Sequence, residues 1–235
     1  MREIVADNIY ALGDTHTLNF VDILQHYEIK NFVLIHVGDA GEGFGHITTD
    51  KYDLDRIHKY LEENNGQLLV VRGNHSDTSF YRPDHWTSVY KKITFVPDFT
   101  YYRINGSVFL LAGGATSIDR VTRIAGEDYW VDEKFVLPEQ LESLEQCDVL
   151  ITHSTPLIAF PNDGFANIAG WFKNDPTLKE ELIKEREDIQ KLYEQVNPKA
   201  VVYGHFHRTV SEYIDGTWFR CLDINELIDL SSSLK

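Results

Sequence analysis

Gly204-His205-Phe206-His207 follows the apolar run Ala200-Val201-Val202-Tyr203 and precedes a second β-rich run that begins at Val210. The apolar run predicts a buried strand, and the glycine lets the backbone turn sharply where that strand ends. Both histidines would then lie at the end of a sheet, and histidine is the commonest metal ligand among side chains. A single histidine pair of this kind is also frequent on ordinary surfaces, so a metal site is predicted only in combination with the rest of the chain.

An apolar strand that ends at a polar, glycine-containing corner recurs three times in the N-terminal third of the chain. The strands are predicted at Ile9–Leu12, Phe32–Val37 and Leu68–Val71, with helices at Thr17–Tyr27 and Asp53–Asn64. The corners carry Asp14 and His16, then Asp39, then Asn74 and His75. This alternation predicts a βαβ sheet whose strand ends meet at one functional edge.

From Ile93 the pattern changes to short β-like runs, which we interpret as a second sheet. These runs are Ile93–Val96, Tyr101–Ile104 and Val108–Leu111. A later strand, Val149–Thr152, leads directly into His153. Helices are expected from Leu137 and from Asp175 to about Val196, and the segment between Pro156 and Asp175 is interpreted as a long loop or lid.

Length and composition narrow the class of protein. The 235 residues, of which 43% are hydrophobic and 25% charged, predict one soluble globular domain over residues 1–235. No run is long and apolar enough to span a bilayer, and the first residues show no signal-peptide pattern, so we expect a cytoplasmic protein. Only Cys147 and Cys221 are present, which argues against a disulfide framework or a cysteine-based zinc site. A formal net charge of −15 opposes binding to extended nucleic acid or anionic lipid.

Five polar corners, each after an apolar strand, now stand in order along the chain. They carry Asp14 and His16, Asp39, Asn74 and His75, His153, and His205 and His207. One Asp or Asn after a strand is usually a turn former or a helix cap, but the joint pattern has no such explanation. Carboxylate, imidazole and amide groups together suit divalent cations such as Mn²⁺, Fe²⁺, Zn²⁺ or Co²⁺, and there are enough ligands for two ions.

In this order the motifs resemble those of the calcineurin-like metallophosphoesterase superfamily, and among them its small bacterial and phage-type members. The matching blocks are Gly13-Asp14-Thr15-His16, Gly38-Asp39-Ala40-Gly41-Glu42, Gly73-Asn74-His75, Thr152-His153 and Gly204-His205-Phe206-His207. The resemblance implies an α/β protein with a four-layer αββα fold, in which two mixed β-sheets pack as a sandwich flanked by helices.

The resemblance also implies a site for two divalent metal ions, with Mn²⁺ favoured. By their blocks, Asp14, His16 and His207 would bind one ion, Asn74, His153 and His205 the other, and Asp39 would bridge both. A hydroxide held between the ions would attack the phosphorus of a phosphomonoester or a small nucleotide-type phosphodiester. His75 would be the catalytic histidine, which protonates the leaving oxygen or stabilises charge in the transition state.

Two positions depart from the phosphatase branch of this superfamily. Gly43 stands where an arginine is usual after the acid of the second block, and Ser76 stands where an acid is usual after Gly-Asn-His. Asp77 or Glu42 would then orient His75. Asp77 is equally suited to be the N-cap of a helix near Thr78.

The cation that binds phosphate must accordingly come from another segment. Gly113–Arg120 resembles a segment of the small bacterial and phage-type members, so Arg120 is our first candidate, and Arg123 follows in the same loop. Alternatively, both arginines pair at the surface with acids such as Asp119, Glu127 or Asp128.

Two other function classes remain as alternatives to an enzyme acting on small phosphate esters. The same fold also serves as a non-catalytic binding scaffold whose metal site has decayed, but no ligand position is lost in this sequence. The nuclease branch needs a basic groove that tracks DNA, which the acidic charge opposes. The sequence therefore predicts a hydrolase of phosphoric ester bonds, and it does not specify the physiological substrate, the native metal or the oligomeric state.

Overall fold

Two β-sheets and three α-helices make up the structure, a computed structural model that describes residues 1–161 and 168–231. The strands are β1 (Arg2–Ile4), β2 (Asn8–Leu12), β3 (Phe32–His36), β4 (Gln67–Val70), β5 (Ile93–Phe95), β6 (Thr100–Ile104), β7 (Ser107–Ala112), β8 (Val149–Thr152), β9 (Ala200–Tyr203), β10 (Val210–Ile214), β11 (Thr217–Cys221) and β12 (Leu227–Asp229). The helices are α1 (Val21–His26), α2 (Ile47–Glu63) and α3 (Leu178–Val196).

The two sheets differ in size but are both mixed. The smaller sheet has the order β12-β2-β3-β4-β5, in which β2 to β5 are parallel and β12 is antiparallel to β2. The larger sheet has the order β1-β6-β7-β8-β9-β11-β10. Its centre, β7 to β9 and β11, is parallel, whereas β6 and β10 are antiparallel to their neighbours β7 and β11.

Alternating side chains of β3 show how the layers are stacked. Phe32 and Leu34 belong to a core that includes residues of α1 and α2, whereas Val33 and Ile35 belong to the core between the sheets. A third core joins the outer face of the larger sheet to α3. A parallel strand covered on both faces has to be apolar throughout, which explains the uninterrupted apolar run Phe32–Ile35. The four-layer αββα prediction is confirmed.

The register of the parallel strands brings the polar corners together. Leu12 lies beside His36 and His36 beside Val70, so β2, β3 and β4 end at the same level. In the larger sheet, Ile151 of β8 lies beside Val202 of β9. The loops that follow these five strands therefore meet at one edge of the sandwich, where ligands of open α/β sheets commonly bind.

Two predictions of secondary structure are wrong. Ile93–Phe95 does not start the second sheet, because it pairs in parallel with β4 and becomes an edge strand of the smaller sheet. The helix predicted from Leu137 is only a short 3₁₀ turn at Leu141–Ser143. There the carbonyl oxygen of Leu144 accepts a hydrogen bond from Gln195 of α3, so tertiary contacts override the local helical preference.

The segment interpreted as a loop or lid, between Pro156 and Asp175, includes residues 162–167, which lie outside the described residues. Its described ends form short 3₁₀ turns at Leu157–Ala159 and Trp171–Lys173. Within the described part of the chain, no helix is long and apolar enough to cross a membrane.

Candidate metal centre

Asp14, His16 and His207 come together where β2 and β9 end. Asp14 is fully buried, and its Oδ2 is 3.2 Å from Nε2 of His207. Nε2 of His16 is 3.0 Å from the same His207 nitrogen. Two imidazole nitrogens face each other at this distance when they share a proton or a cation, so the group is suited to hold one metal ion.

Asn74, His153 and His205 form a second group, after β4, β8 and β9. Nδ1 of His153 donates to the carbonyl oxygen of Val37 at 3.0 Å, which orients the ring so that Nε2 faces the site. That Nε2 is 3.1 Å from Oδ1 of Asn74, and this oxygen is 2.8 Å from Nδ1 of His205. A carbonyl that orients a histidine in this way is typical of metal-binding histidines.

Asp39 lies between the two groups. Its Oδ1 is 3.3 Å from Nε2 of His153, and its Oδ2 is 3.9 Å from Nδ1 of His16. The same Oδ1 accepts the backbone N–H of His75 at 2.7 Å. One carboxylate oxygen therefore faces each group, which is the arrangement that a bridging ligand requires.

Burial makes the charges of this site depend on one another. Burial opposes ionisation of Asp39, but His153, His75 and His16 hold the pKa of that carboxyl well below its usual value. Burial likewise opposes protonation of His153, but Asp39 and Asp14 outweigh it and raise the pKa of this histidine to about 9. Carboxylates removed from water need a positive charge beside them. The oxygen and nitrogen donors fit a divalent cation of the Mn²⁺, Fe²⁺, Zn²⁺ or Co²⁺ type.

Four of the seven candidate ligands adopt a left-handed backbone conformation. The φ angle is 52° at His16, 55° at Asp39, 67° at His205 and 49° at His207. This conformation costs on the order of 1–3 kcal/mol for a residue other than glycine and is concentrated at functional sites. Asp and His adopt it more readily than most residues do. The backbone is therefore strained at residues whose side chains form the candidate metal centre.

Two motif glycines allow the corners to approach one another. A Cβ at Gly73 would lie 2.0 Å from Oδ1 of Asp39, and a Cβ at Gly204 would lie 2.1 Å from Oδ1 of Asp14. Real carbon and oxygen atoms do not approach so closely, so any side chain at either position would displace a candidate ligand. The glycine of one motif thus makes room for the carboxylate of another.

Sequence reasoning missed two residues that orient Asn74. Oγ of Ser117 accepts a hydrogen bond from Nδ2 of Asn74 at 3.1 Å, which turns Oδ1 of the amide toward the histidines. Glu133 accepts the backbone N–H of Ser117 at 3.0 Å, and burial raises the pKa of its carboxyl to about 7. Ser117 lies in the loop whose arginines, Arg120 and Arg123, were candidates for binding phosphate. Glu133 lies in an irregular segment and had no sequence signal.

The His75 ring lies against His16 of the first group. Its ring centroid is 5.0 Å from that of His16 and 5.3 Å from that of Phe44. Its Nε2 is 2.7 Å from Nη2 of Arg123, and because a guanidinium can only donate, this nitrogen accepts. Burial lowers the pKa of His75 as well. In this arrangement the ring is neutral, and with His16 and Asp39 it forms a third set of donors close enough to hold an ion.

Of the two arginines that the sequence offered, Arg123 and not Arg120 contacts the site. Nε of Arg120 is 2.6 Å from Asp175, and its Nη1 is 2.6 Å from Glu181 of α3. The alternative of pairing with acids therefore describes Arg120, whose partners lie at α3 and not in its own loop. It also describes Arg123 in part, because Nη2 of Arg123 is 2.7 Å from Asp119. Arg123 contacts His75 and lines the same cavity, so it replaces Arg120 as the candidate phosphate ligand.

The two acids considered as partners of His75 are engaged elsewhere. The Asp77 carboxylate caps the 3₁₀ helix that follows it by accepting the N–H of Ser79 at 2.9 Å. Glu42 is fully buried and accepts a hydrogen bond from Tyr81, and burial raises the pKa of its carboxyl to about 8. The helix-capping alternative thus describes Asp77. Within residues 1–161 and 168–231, neither acid is hydrogen-bonded to the His75 ring.

Fold and site together define an α/β protein with Asp and His clusters that can hold metal ions. The model of the calcineurin-like phosphoesterase family matches residues 8–209, most of the chain. The protein belongs to this family, whose substrates are phosphate esters, and it is a hydrolase of phosphoric ester bonds. No curated protein is similar enough in sequence to match it.

Solved structures with a similar fold share little sequence with this chain. Phosphopantetheinyl hydrolase from Mycobacterium tuberculosis is 15% identical with a TM-score of 0.47, over 93% of this chain and 90% of that one. An archaeal phosphodiesterase is 14% identical with a TM-score of 0.40, over 94% and 98%. A putative 5′-nucleotidase from Staphylococcus aureus is 12% identical with a TM-score of 0.49, over 94% and 49%. These likenesses concern the fold alone.

Arg120→Gln is expected to destabilise the protein, because it removes the ion pairs with Asp175 and Glu181. Arg120 lowers the pKa of Glu181 to about 2 and also lowers that of Asp175. Because these pKa values are depressed in the folded state, the stabilisation is complete above the ordinary carboxyl pKa and is lost as pH falls toward about 2. Urea unfolding should show a loss of about 1.5–3 kcal/mol at neutral pH, and a smaller loss near pH 3.

The matched control is Arg82→Gln at an exposed arginine, which should change the unfolding free energy by less than about 0.5 kcal/mol. A loss for Arg120→Gln that is the same at both pH values would contradict the stabilising role of these ion pairs.

Proposed function

We propose that the protein hydrolyses a phosphomonoester or a small nucleotide-type phosphodiester at a site for two divalent metal ions. The observation that carries the proposal is the position of Asp39, with one oxygen 3.3 Å from His153 and the other 3.9 Å from His16. Asp39 would bind both ions. The remaining ligands would be Asp14, His16 and His207 for one ion and Asn74, His153 and His205 for the other.

When bound, two such cations would lower the pKa of a water to give hydroxide near neutral pH and would neutralise charge on the phosphate oxygens. Mn²⁺ is our favoured ion, because the donors are oxygens and imidazole nitrogens without a thiolate. The two cysteines, Cys147 and Cys221, are buried in the core next to α3.

Arg123 would bind the phosphate. Its side chain is only 8% exposed and lines the cavity together with Asn74 and His205. Asp119 at 2.7 Å and Oγ of Ser117 at 3.2 Å hold the guanidinium, so its planar fork is oriented before a substrate arrives. Such a fork can donate to two phosphate oxygens at once, which a lysine cannot do.

His75 would give a proton to the leaving oxygen. Because its Nε2 now accepts from Arg123, this role requires Arg123 to turn from the imidazole to the phosphate when the substrate binds. Once freed, Nε2 would take up a proton from solvent and pass it to the leaving oxygen. If the contact persists instead, His75 would act by stabilising charge in the transition state.

Asp39→Asn tests the dinuclear site. Asn also tolerates the left-handed backbone at this position and still accepts the N–H of His75, so the fold should be kept while negative charge is lost. Mutation of a residue that only hydrogen-bonds to a metal ligand typically lowers metal affinity ~10–100-fold. We expect Asp39→Asn to lower metal affinity by at least this factor and to abolish hydrolysis. Metal content is measured by mass spectrometry after dialysis.

Asp53→Asn, at a buried carboxyl of α2, is the matched control and should keep both metal and activity. Two tightly bound metals and near-normal turnover in Asp39→Asn would exclude Asp39 as a shared ligand.

His75→Ala separates proton transfer from metal binding. The variant should keep its metals and lose roughly 10²–10⁴-fold in rate on an alkyl phosphate, whose leaving group needs a proton. An aryl phosphate, whose leaving group needs little protonation, should lose less. An equal loss on both substrates would assign His75 to charge stabilisation or to structure.

Arg123→Lys tests the phosphate contact, with Arg120→Lys as the matched control. Lysine keeps the charge but not the fork, so Arg123→Lys should lower kcat/KM by roughly tenfold or more, equivalent to ~1.4 kcal/mol, with metal content unchanged. Arg120→Lys keeps a positive charge beside Asp175 and Glu181, so the loop should stay in place and kcat/KM should be unchanged. Normal kinetics in Arg123→Lys would remove this loop from the substrate site.

A further inference from the structure

One cavity of ≈ 330 Å³ contains the candidate metal centre and extends beyond it. On the metal side it is lined by Asp39, Asn74, His75, His205 and His207. Its lining also includes a set of apolar side chains, which we call the apolar lobe: Ile118, Phe160, Ile168, Trp171, Leu182 and Phe206. Charged side chains of Asp119, Arg123, Glu185 and Arg186 line the same cavity. Large apolar side chains gathered around one concave opening, next to a few convergent polar groups, are the usual form of a small-molecule site.

The aromatic wall of the apolar lobe is held in place by α3. The guanidinium of Arg186 lies 3.6 Å from the centroid of the Phe160 ring. Its Nη2 also donates to the carbonyl oxygen of Leu157 at 3.0 Å, and the residue is only 6% exposed. Phe160 is therefore fixed before any ligand enters, and a preformed site loses little affinity to ordering.

Phe206 joins the apolar lobe to the metal centre. It stands between the candidate ligands His205 and His207, and its ring centroid is 5.0 Å from that of His205. On its other side, its ring meets that of Phe160 edge to face at 5.4 Å. The lobe thus begins directly beside side chains that would hold the metal ions.

The size of the cavity limits what the lobe can take. Ligand sites range over about 300–1,000 Å³, so this cavity is at the small end. A cavity of about 150 Å³ holds one benzene molecule. The whole cavity therefore has room for a phosphoryl group and about one aromatic ring.

We propose that the apolar lobe binds the alcohol part of the substrate. The preferred substrates are phosphate esters whose alcohol carries an aromatic ring, or an apolar group of similar size, close to the ester oxygen. This inference rests on the proposed hydrolysis at the metal centre, and it adds the chemical class of the substrate.

The test compares ligands that differ only in the apolar group. By calorimetry on the metal-loaded protein, benzylphosphonate should bind roughly tenfold or more tightly than methylphosphonate, because its ring is removed from water. The kcat/KM for benzyl phosphate should exceed that for ethyl phosphate by a similar factor. Both leaving groups are simple alkoxides, so the difference reports binding. The corresponding methyl diesters are used if only diesters are hydrolysed.

Two variants test whether the apolar lobe causes the preference for benzyl compounds. Leu182→Trp fills the lobe and Trp171→Ala removes a wall, and each should reduce the preference for the benzyl compounds at least several-fold. Trp171 is only partly buried, so its truncation does not depend on a successful repacking of the core. Lys179→Trp adds the same bulk at an exposed position of α3 and should leave the preference intact.

Equal affinities for the two phosphonates would overturn the inference, as would a preference that survives both Leu182→Trp and Trp171→Ala. If the inference about the lobe fails in this way, hydrolysis of both esters at similar kcat/KM would still support the proposed function. If benzylphosphonate binds more tightly in the lobe but no ester is hydrolysed, the substrate-binding lobe is supported and the proposed function fails.

Discussion

Two buried carboxylates, Asp14 and Asp39, impose the constraint on which the rest of this structure depends. Their exposed fractions are 0% and 1%, at the edge where the two sheets meet. An ionised carboxylate without water is costly unless hydrogen bonds and opposite charge replace it. Asp14 accepts the N–H of His205, and Asp39 accepts the N–H of His75, so each is bound by the corner of another strand. The remaining requirement is positive charge, which explains why histidines surround both groups.

The strained corners persist because the strands that lead into them cannot move. β8 and β9 are buried along their whole length, and three apolar cores separate the four layers. Close-packed layers resist displacement, so the loops that follow these strands begin at fixed positions. Left-handed φ angles at His16, Asp39, His205 and His207 are tolerated on such a scaffold. In a looser fold the same residues would relax, and their donor atoms would no longer converge.

Most of the candidate metal centre could be predicted from the sequence because its side chains directly follow strands. An apolar run fixes where a strand ends, and the next few residues must then lie at the sheet edge. Arg120 and Arg123 lie in a long irregular connection with acids nearby, and their local sequence does not distinguish them. Only the packing of α3 decides which guanidinium contacts His75. The sheet assignment of β5 failed for a related reason, since a strand of three residues does not reveal which edge it joins.

The helix α3 links the two sides of the substrate cavity. Near its N-terminus, Glu181 pairs with Arg120, and because Arg123 follows three residues later, these ion pairs fix the loop that carries Arg123 to His75. One turn further along, Arg186 holds Phe160 in the wall of the apolar lobe. A single helix outside the metal centre therefore sets both the position of the candidate phosphate ligand and the shape of the space beside it. Residues on its buried face can influence the reaction by positioning these groups, without contacting the phosphorus.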